Sequence, residues 1–390
     1  MIAHAASFAQ INLVTNPSFE EISFCPNFGG QINKAIGWST LINGGGGTPD
    51  LYHVCCTNPS KCGVPSQSSF HTFQYPHSGN SYSGIQVLAS NDINYREYIQ
   101  SKLKKGLSVG HIYCIKFYIS LSDQNTSYIK PFGAYLDSGE VISLNTFGLA
   151  YANSMQQLAN PQTYNSVLLL NDTINWIKIE GSFTATGIET YITLGNFFPD
   201  SLSDIEFFGT PTLWMSYYYI DDISVIDANL PANAGNDTLI YPGDSVFIGR
   251  QPEIGLDEDC IWLVSGLPID TIAGMWVKPD STTTYVLEQT ICGNVSWDTV
   301  TVSVYGTGIA GYFNEAAFRI YPNPATHLLQ IESPVTKAII SITNLLGQEV
   351  LRQEVSEKQF SMDVSKLGKG VYFLLMKTEK GVFVRKFLKE

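Results

Sequence analysis

Three close groups of acids, Glu20-Glu21, Asp221-Asp222 and Asp257-Glu258-Asp259, are the side chains best able to do chemistry in this chain. Two carboxylates hydrolyse a glycoside when they face each other across about 5–10 Å, but no E-x-D-x-x-E strand pattern fixes such a pair here. The six histidines, at positions 4, 53, 71, 77, 111 and 327, are scattered, and no GxSxG, HExxH, Walker or GxGxxG motif is present. Nothing therefore marks a nucleophile, a catalytic metal or a nucleotide loop. The chain is expected not to be an enzyme, with an unrecognised polysaccharide hydrolase as one alternative. The acids have a second use. Calcium takes six to eight hard oxygens, and Glu20 and Asp222 can supply some of them if the first and last strands of one sandwich adjoin. Strand alternation turns Asp221 and Asp222 to opposite faces, so only one of the two is expected to ligate.

Binding a sugar needs flat aromatic faces beside hydrogen-bonding groups. Trp38, Tyr52, Tyr75, Tyr82, Tyr95, Trp214 and Tyr218 are the candidates, although most rings of a β sandwich fill its core. His71 and His77 share a loop with Phe73 and Tyr75, which reads as a binding loop or a wet surface loop. Arg96 and Glu97 interrupt apolar sequence and are expected to pair with each other. Seven cysteines stand at 25, 55, 56, 62, 114, 260 and 292. Cys260 and Cys292, each beside strand-like sequence, are expected to form the single clamp of a small sandwich, with Trp262 as core filler beside it. Cys25, Cys55, Cys56 and Cys62 cluster near His53. Their spacing lacks the CxxC pairs of common zinc modules, so disulfides are favoured over zinc. Cys114, in an apolar run, is taken as an inert core thiol.

These residues need elements to hold them, and the composition specifies strands. Charged residues are 15% of the chain, against about 25% in an average soluble domain. There are 21 Tyr, 21 Phe, 33 Gly and 18 Pro, the mixture of half-buried strands and many turns. The net charge of −13 argues against nucleic acid, which requires clustered Lys and Arg. No apolar run reaches the ~18–20 residues that span a bilayer as a helix. Two small-residue breaks, at 227–233 and 306–311, divide the chain into segments 11–227, 233–305 and 318–390. Charge divides with them: the last segment holds 11 basic and 7 acidic residues, the middle one 2 and 10. The middle segment is thus read as a solvated spacer. Ser7 and Ala9 before Gln10 suit a signal-peptidase cut, so residues 1–9 are read as a truncated signal peptide. Asp-Thr/Ser pairs such as Asp172, Asp237 and Asp298 are short enough to arise by chance in Thr-rich strands.

Ordered motifs then give resemblances. Phe318-Arg-Ile-Tyr-Pro-Asn-Pro-Ala325, Ile339-Ile-Ser-Ile-Thr-Asn-Leu-Leu-Gly347, Met362-Asp-Val-Ser-Lys-Leu367 and Gly370-Val-Tyr-Phe-Leu-Leu375 follow one another to the chain's end. They closely resemble the type A C-terminal sorting domain of the type IX secretion system of Bacteroidetes. That resemblance implies a secreted or outer-membrane-attached protein, passed through the type IX translocon, with the tail removed by a sortase and the cargo released or joined to lipopolysaccharide. Asn12-Leu-Val-Thr-Asn-Pro-Ser-Phe-Glu20 and Tyr219-Ile-Asp-Asp-Ile-Ser-Val225 resemble the first and last strands of carbohydrate-binding-module-like jelly rolls of the galactose-binding type. Such modules often hold a structural calcium near these positions. Segment 25–133 resembles an N-terminal module of surface and gliding-associated proteins, and 233–305 resembles PKD-like or Ig-like spacers. The expected whole is an all-β, exported, non-catalytic protein that binds glycan or a surface partner, or else a structural surface component without a ligand.

Overall fold

The computed structural model describes residues 11–41, 48–66, 73–90, 93–139, 161–165, 167–209, 215–305, 318–333, 335–345, 347–378 and 381–390. The signal-like residues 1–9, the glycine run 43–47, His71, Trp214 and the break at 306–311 lie outside these. Among the described residues there are strands and three single 3₁₀ turns but no α-helix, as the composition required. The chain forms two compact units: residues 1–237, 247–277 and 284–301 make one, and 238–246, 278–283 and 302–390 the other.

The first segment supplies twelve strands: β1 (Trp38–Thr40), β2 (Asp50–His53), β3 (Ser81–Ala89), β4 (Ile99–Lys102), β5 (Ile112–Leu121), β6 (Ser127–Tyr128), β7 (Phe132–Asp137), β8 (Thr163–Asn165), β9 (Ile177–Thr184), β10 (Tyr191–Gly195), β11 (Glu206–Phe207) and β12 (Met215–Asp227). Ten of them form two five-stranded sheets, β1-β4-β10-β7-β8 and β2-β3-β12-β5-β9. This is the expected jelly-roll sandwich. Alternation sends Leu51, Ile85, Val87, Ile115, Phe117, Ile119, Ile179 and Ile220 into the space between the sheets, each fully buried chain contributing roughly 1.5–3 kcal/mol. Residues 12–14 run beside β12, Leu13 N donating to Val225 O at 3.0 Å, so the expected adjacency of the first and last β segments of this sandwich is present.

The middle segment brings β13 (Thr238–Ile240), β14 (Val246–Gly249), β15 (Cys260–Val264), β16 (Leu267–Asp270), β17 (Gly274–Val277), β18 (Thr283–Ile291) and β19 (Asn294–Val304). Trp262 is its buried centre and donates Nε1–H to Ile272 O at 2.8 Å. The expected cysteine pairing fails here. Cys292 bonds Cys114, with Cα atoms 5.6 Å apart, while Cys260 is a buried free thiol. The reason is local: Cys292 and Gly293, both at positive φ, form the tight turn between β18 and β19. From that turn the sulfur reaches out to β5, whereas Cys260 alternates inward with exposed Ile261. Cys114 is therefore no inert thiol. Most of this segment belongs to the first unit, stapled to the jelly roll by that disulfide and by Lys116. The Lys116 ammonium, 1% exposed, meets Asp259 at 2.6 Å and Gly255 O at 2.8 Å.

The second unit holds the tail: β20 (Arg319–Tyr321), β21 (Leu328–Glu332), β22 (Ala338–Thr343), β23 (Glu349–Val355), β24 (Gln359–Asp363), β25 (Gly370–Thr378) and β26 (Gly381–Lys389). Sheets β20-β21-β24 and β23-β22-β25-β26 close over Phe318, Leu329, Ile331, Ile340, Ile342, Leu374, Met376 and Phe387. The period-two runs read in the sequence are these strands.

Candidate functional site

Half of each strand in β2-β3-β12-β5-β9 faces away from the core, and this outer face carries the candidate chemistry. Tyr52 and Tyr82, directly paired across β2 and β3, stack with ring centroids 4.9 Å apart, and Tyr219 meets both edge-on. Tyr217 completes the cluster. The rings are sealed from above by the loop leading to β3. Gln74 O accepts from Tyr82 Oη at 2.9 Å, and Gln74 Nε2 donates to Ser120 Oγ at 2.7 Å. Disulfides Cys25–Cys55 and Cys56–Cys62 anchor that loop's start, so those four sulfurs hold each other and not zinc.

At one end of the sealed cluster lies Asp50, which accepts from Tyr217 Oη at 2.5 Å, Tyr52 Oη at 3.4 Å and Gly30 N at 2.5 Å. Burial pushes its carboxyl up to about 7 despite these donors, and the neighbouring Glu97 adds to the rise. Glu97 is itself raised by burial while accepting from Thr48 N at 2.6 Å, Gln86 N at 2.8 Å and Tyr95 Oη at 2.9 Å. It does not pair with Arg96. The Arg96 side chain instead meets Asp200 at 2.8 Å and donates to Phe198 O at 2.7 Å.

Towards the other end the face opens. His77 stacks on Tyr118 at 3.7 Å and meets the edge of Trp176 at 6.0 Å. Trp176 Nε1 donates to Tyr75 O at 3.1 Å, and Tyr75, 57% exposed, lies edge-on to Phe73, 52% exposed. Asp222 borders this strip, 2.6 Å from His77 Nδ1 and accepting from Ser78 Oγ at 2.7 Å. Lys178 and Glu180, 2.9 Å apart, follow along β9.

The expected ring platform thus divides. Tyr75 is exposed and Tyr95 half-buried, whereas Tyr52, Tyr82, Trp38 and Tyr218 are core, with Trp38 Nε1 bonded to Asn16 O and Tyr218 Oη to Leu170 O. A sealed ring cannot meet a sugar, so these four are corrected to structural roles. Trp176 and Tyr118 were missed, although Trp176 opens the alternating run of β9. The acids expected at the strand junction also differ. A bulge in β12 between Asp221 and Ser224, with Asp222 at φ 49°, turns both aspartates to one loop. Asp221 accepts from Ser18 Oγ at 2.9 Å and His77 N at 2.8 Å and is held well above the usual carboxylate range, first by burial and then by Asp222. Glu20 caps the turn before β3 through Asn80 N at 2.6 Å and Ser81 N at 2.9 Å. Protein donors fill these oxygens, and no group of three or more His, Cys, Asp or Glu is arranged to hold a metal among the described residues. Among the described residues the junction does not fit a calcium cage.

Comparison with known proteins assigns the second unit. Residues 319–390 match the family model "Secretion system C-terminal sorting domain". The chain therefore ends in a sorting domain of the type IX secretion system and is a secreted or cell-surface protein. The tail engages that secretion machinery and is not catalytic. No curated protein shows a significant match. Among solved structures, the chain is similar to the CBM22-1 xylan-binding domain of Xyn10C from Paenibacillus barcinonensis, at 12% identity, covering 56% of this chain and 97% of that one, with a TM-score of 0.29. It is also similar to the K3 cleaved adhesin domain of Lys-gingipain from Porphyromonas gingivalis, at 14% identity, 55% and 99% coverage and a TM-score of 0.27. Likenesses of this size carry no assignment for the first unit.

Proposed function

We propose that the first unit is a non-catalytic binding module displayed outside the cell, and that the strip of Phe73, Tyr75, His77, Tyr118 and Trp176 takes the apolar faces of a glycan. The observation that carries this reading is the exposure of Phe73, Tyr75 and His77, with half-buried Tyr118 and Trp176 beside them and the Lys178–Glu180 pair alongside, on a face whose other rings are sealed. Sugars offer C–H faces to rings and hydroxyls to carboxylates and amines, and this strip supplies both partners. In transit, the type IX translocon and a sortase that removes the tail are the partners.

A glycan array on the secreted protein tests this. Binding that Trp176→Ala or Tyr75→Ala weakens tenfold or more, about 1.4 kcal/mol, supports the reading. A blank array, or variants that bind unimpaired, ends it and leaves a surface component without a sugar ligand.

A further inference from the structure

A cleft of about 470 Å³ in the first unit is bounded by residues 11–13, the entrance to β5, the end of β12 and residues 250–253. Ile11 and Leu230, both half-buried, give it apolar walls over the buried Leu13 and Tyr113. Its charged groups are unequally matched. The acids have protein donors: Asp227 holds the His111 ring at 2.8 Å and accepts from Asn229 N at 2.9 Å, and Glu253 accepts from Asn12 N at 3.3 Å. The cations do not have acids. Among the described residues neither Lys105 nor Arg250 has a carboxylate within ion-pair distance. Arg250 donates from Nη2 to Pro231 O at 2.8 Å, and its buried Nε has no acceptor. A buried donor left unpaired costs about 1–3 kcal/mol, a cost that persists only where something offsets it.

We propose that this cleft binds an acidic sugar, a hexuronate residue of a polysaccharide, with its carboxylate held by Lys105 and Arg250 and its ring against the half-buried Ile11 and Leu230. The cleft falls in the ~300–1,000 Å³ range of small-ligand sites. An inorganic anion would leave the apolar walls unused, whereas a sugar acid uses both charge and wall, with Gln251 and Ser108 on hand for hydroxyls. The site shares no residue with the aromatic strip, so either reading can fail alone.

Titration calorimetry of the full chain with digalacturonic acid and with galactobiose tests it. The acid is expected to bind at least tenfold more tightly than the neutral sugar, with affinity falling as salt rises. Lys105→Gln and Arg250→Gln each weaken it fivefold or more, and Trp176→Ala leaves it unchanged. Lys105 is exposed, so its variant keeps the fold and carries the test even if Arg250→Gln destabilises. No binding of the acid, equal binding of galactobiose, loss on Trp176→Ala, or equal binding of a polyglutamate peptide each overturns the proposal.

Discussion

Asp50 gives the sharpest test of the sealed tyrosine cluster. Its carboxyl, ordinarily near 3.8, is pushed up to about 7 by burial against Tyr217, Tyr52 and Glu97. A carboxyl whose folded value is raised binds protons more tightly in the folded than in the unfolded chain. Its contribution to stability is therefore present at low pH and lost as pH rises towards the folded value. At pH 5, two units below 7, the folded side chain is protonated and the unfolded one ionised. Two units at 1.36 kcal/mol each make the first unit about 3 kcal/mol more stable at pH 5 than at pH 8 through this group alone. Asp50→Asn keeps an oxygen for Gly30 N and offers an amide to the tyrosine oxygens without titrating. Urea unfolding followed by aromatic fluorescence at pH 5, 6, 7 and 8 should show the Asn variant losing about 3 kcal/mol of the pH dependence seen in the parent. Comparing the two chains cancels titrating groups that do not act on Asp50, including Asp221. Identical slopes in parent and variant would refute the sealed environment assigned to Asp50.

Three further outcomes are expected. Replacing Cys114 and Cys292 together by Ser releases a link across 178 residues, worth about 5 kcal/mol by chain entropy, and urea unfolding should show a first unit weakened by several kcal/mol. Lys116→Met leaves Asp259 without its cation, costing roughly 3–5 kcal/mol at pH 8. Part of that loss should return at pH 5, because burial already holds the Asp259 carboxyl up at about 6 with Lys116 present. Deleting residues 318–390 should abolish export, read as loss of the protein from culture supernatant and outer surface by immunoblot; undiminished export contradicts the sorting role.

The tail was fully legible, because its motifs run in order and its alternating runs are its strands. The jelly roll was legible as a class for the same reason: period two betrays a face that meets the core. Period two does not tell what covers the other face. Tyr52 and Tyr82 look like a platform in sequence and are buried by Gln74 and its neighbours, with Gln74 itself held by Ser120 more than forty residues away. The bulge at Asp221–Ser224 broke an alternation argument that was sound for a regular strand. The cysteine pairing was missed because the partner of Cys292 lies in another segment, 178 residues away, and local spacing carries no trace of it. Lys116, one charge in an apolar strand, was the available sign that β5 meets something acidic.

The bond between Cys114 and Cys292 has a mechanical consequence. If the C-terminal side of the chain is tethered and the residues before β5 are pulled, tension crosses from β5 to β19 through two sulfurs. The 177 residues between them form a closed ring outside the line of force. Trp176 and Tyr118 of the aromatic strip, the acids at 257–259 and the connection at 227–233 all sit within that ring. Drag on a tethered cell would then unravel the ends of the first unit before it stretched the backbone on which these groups are mounted.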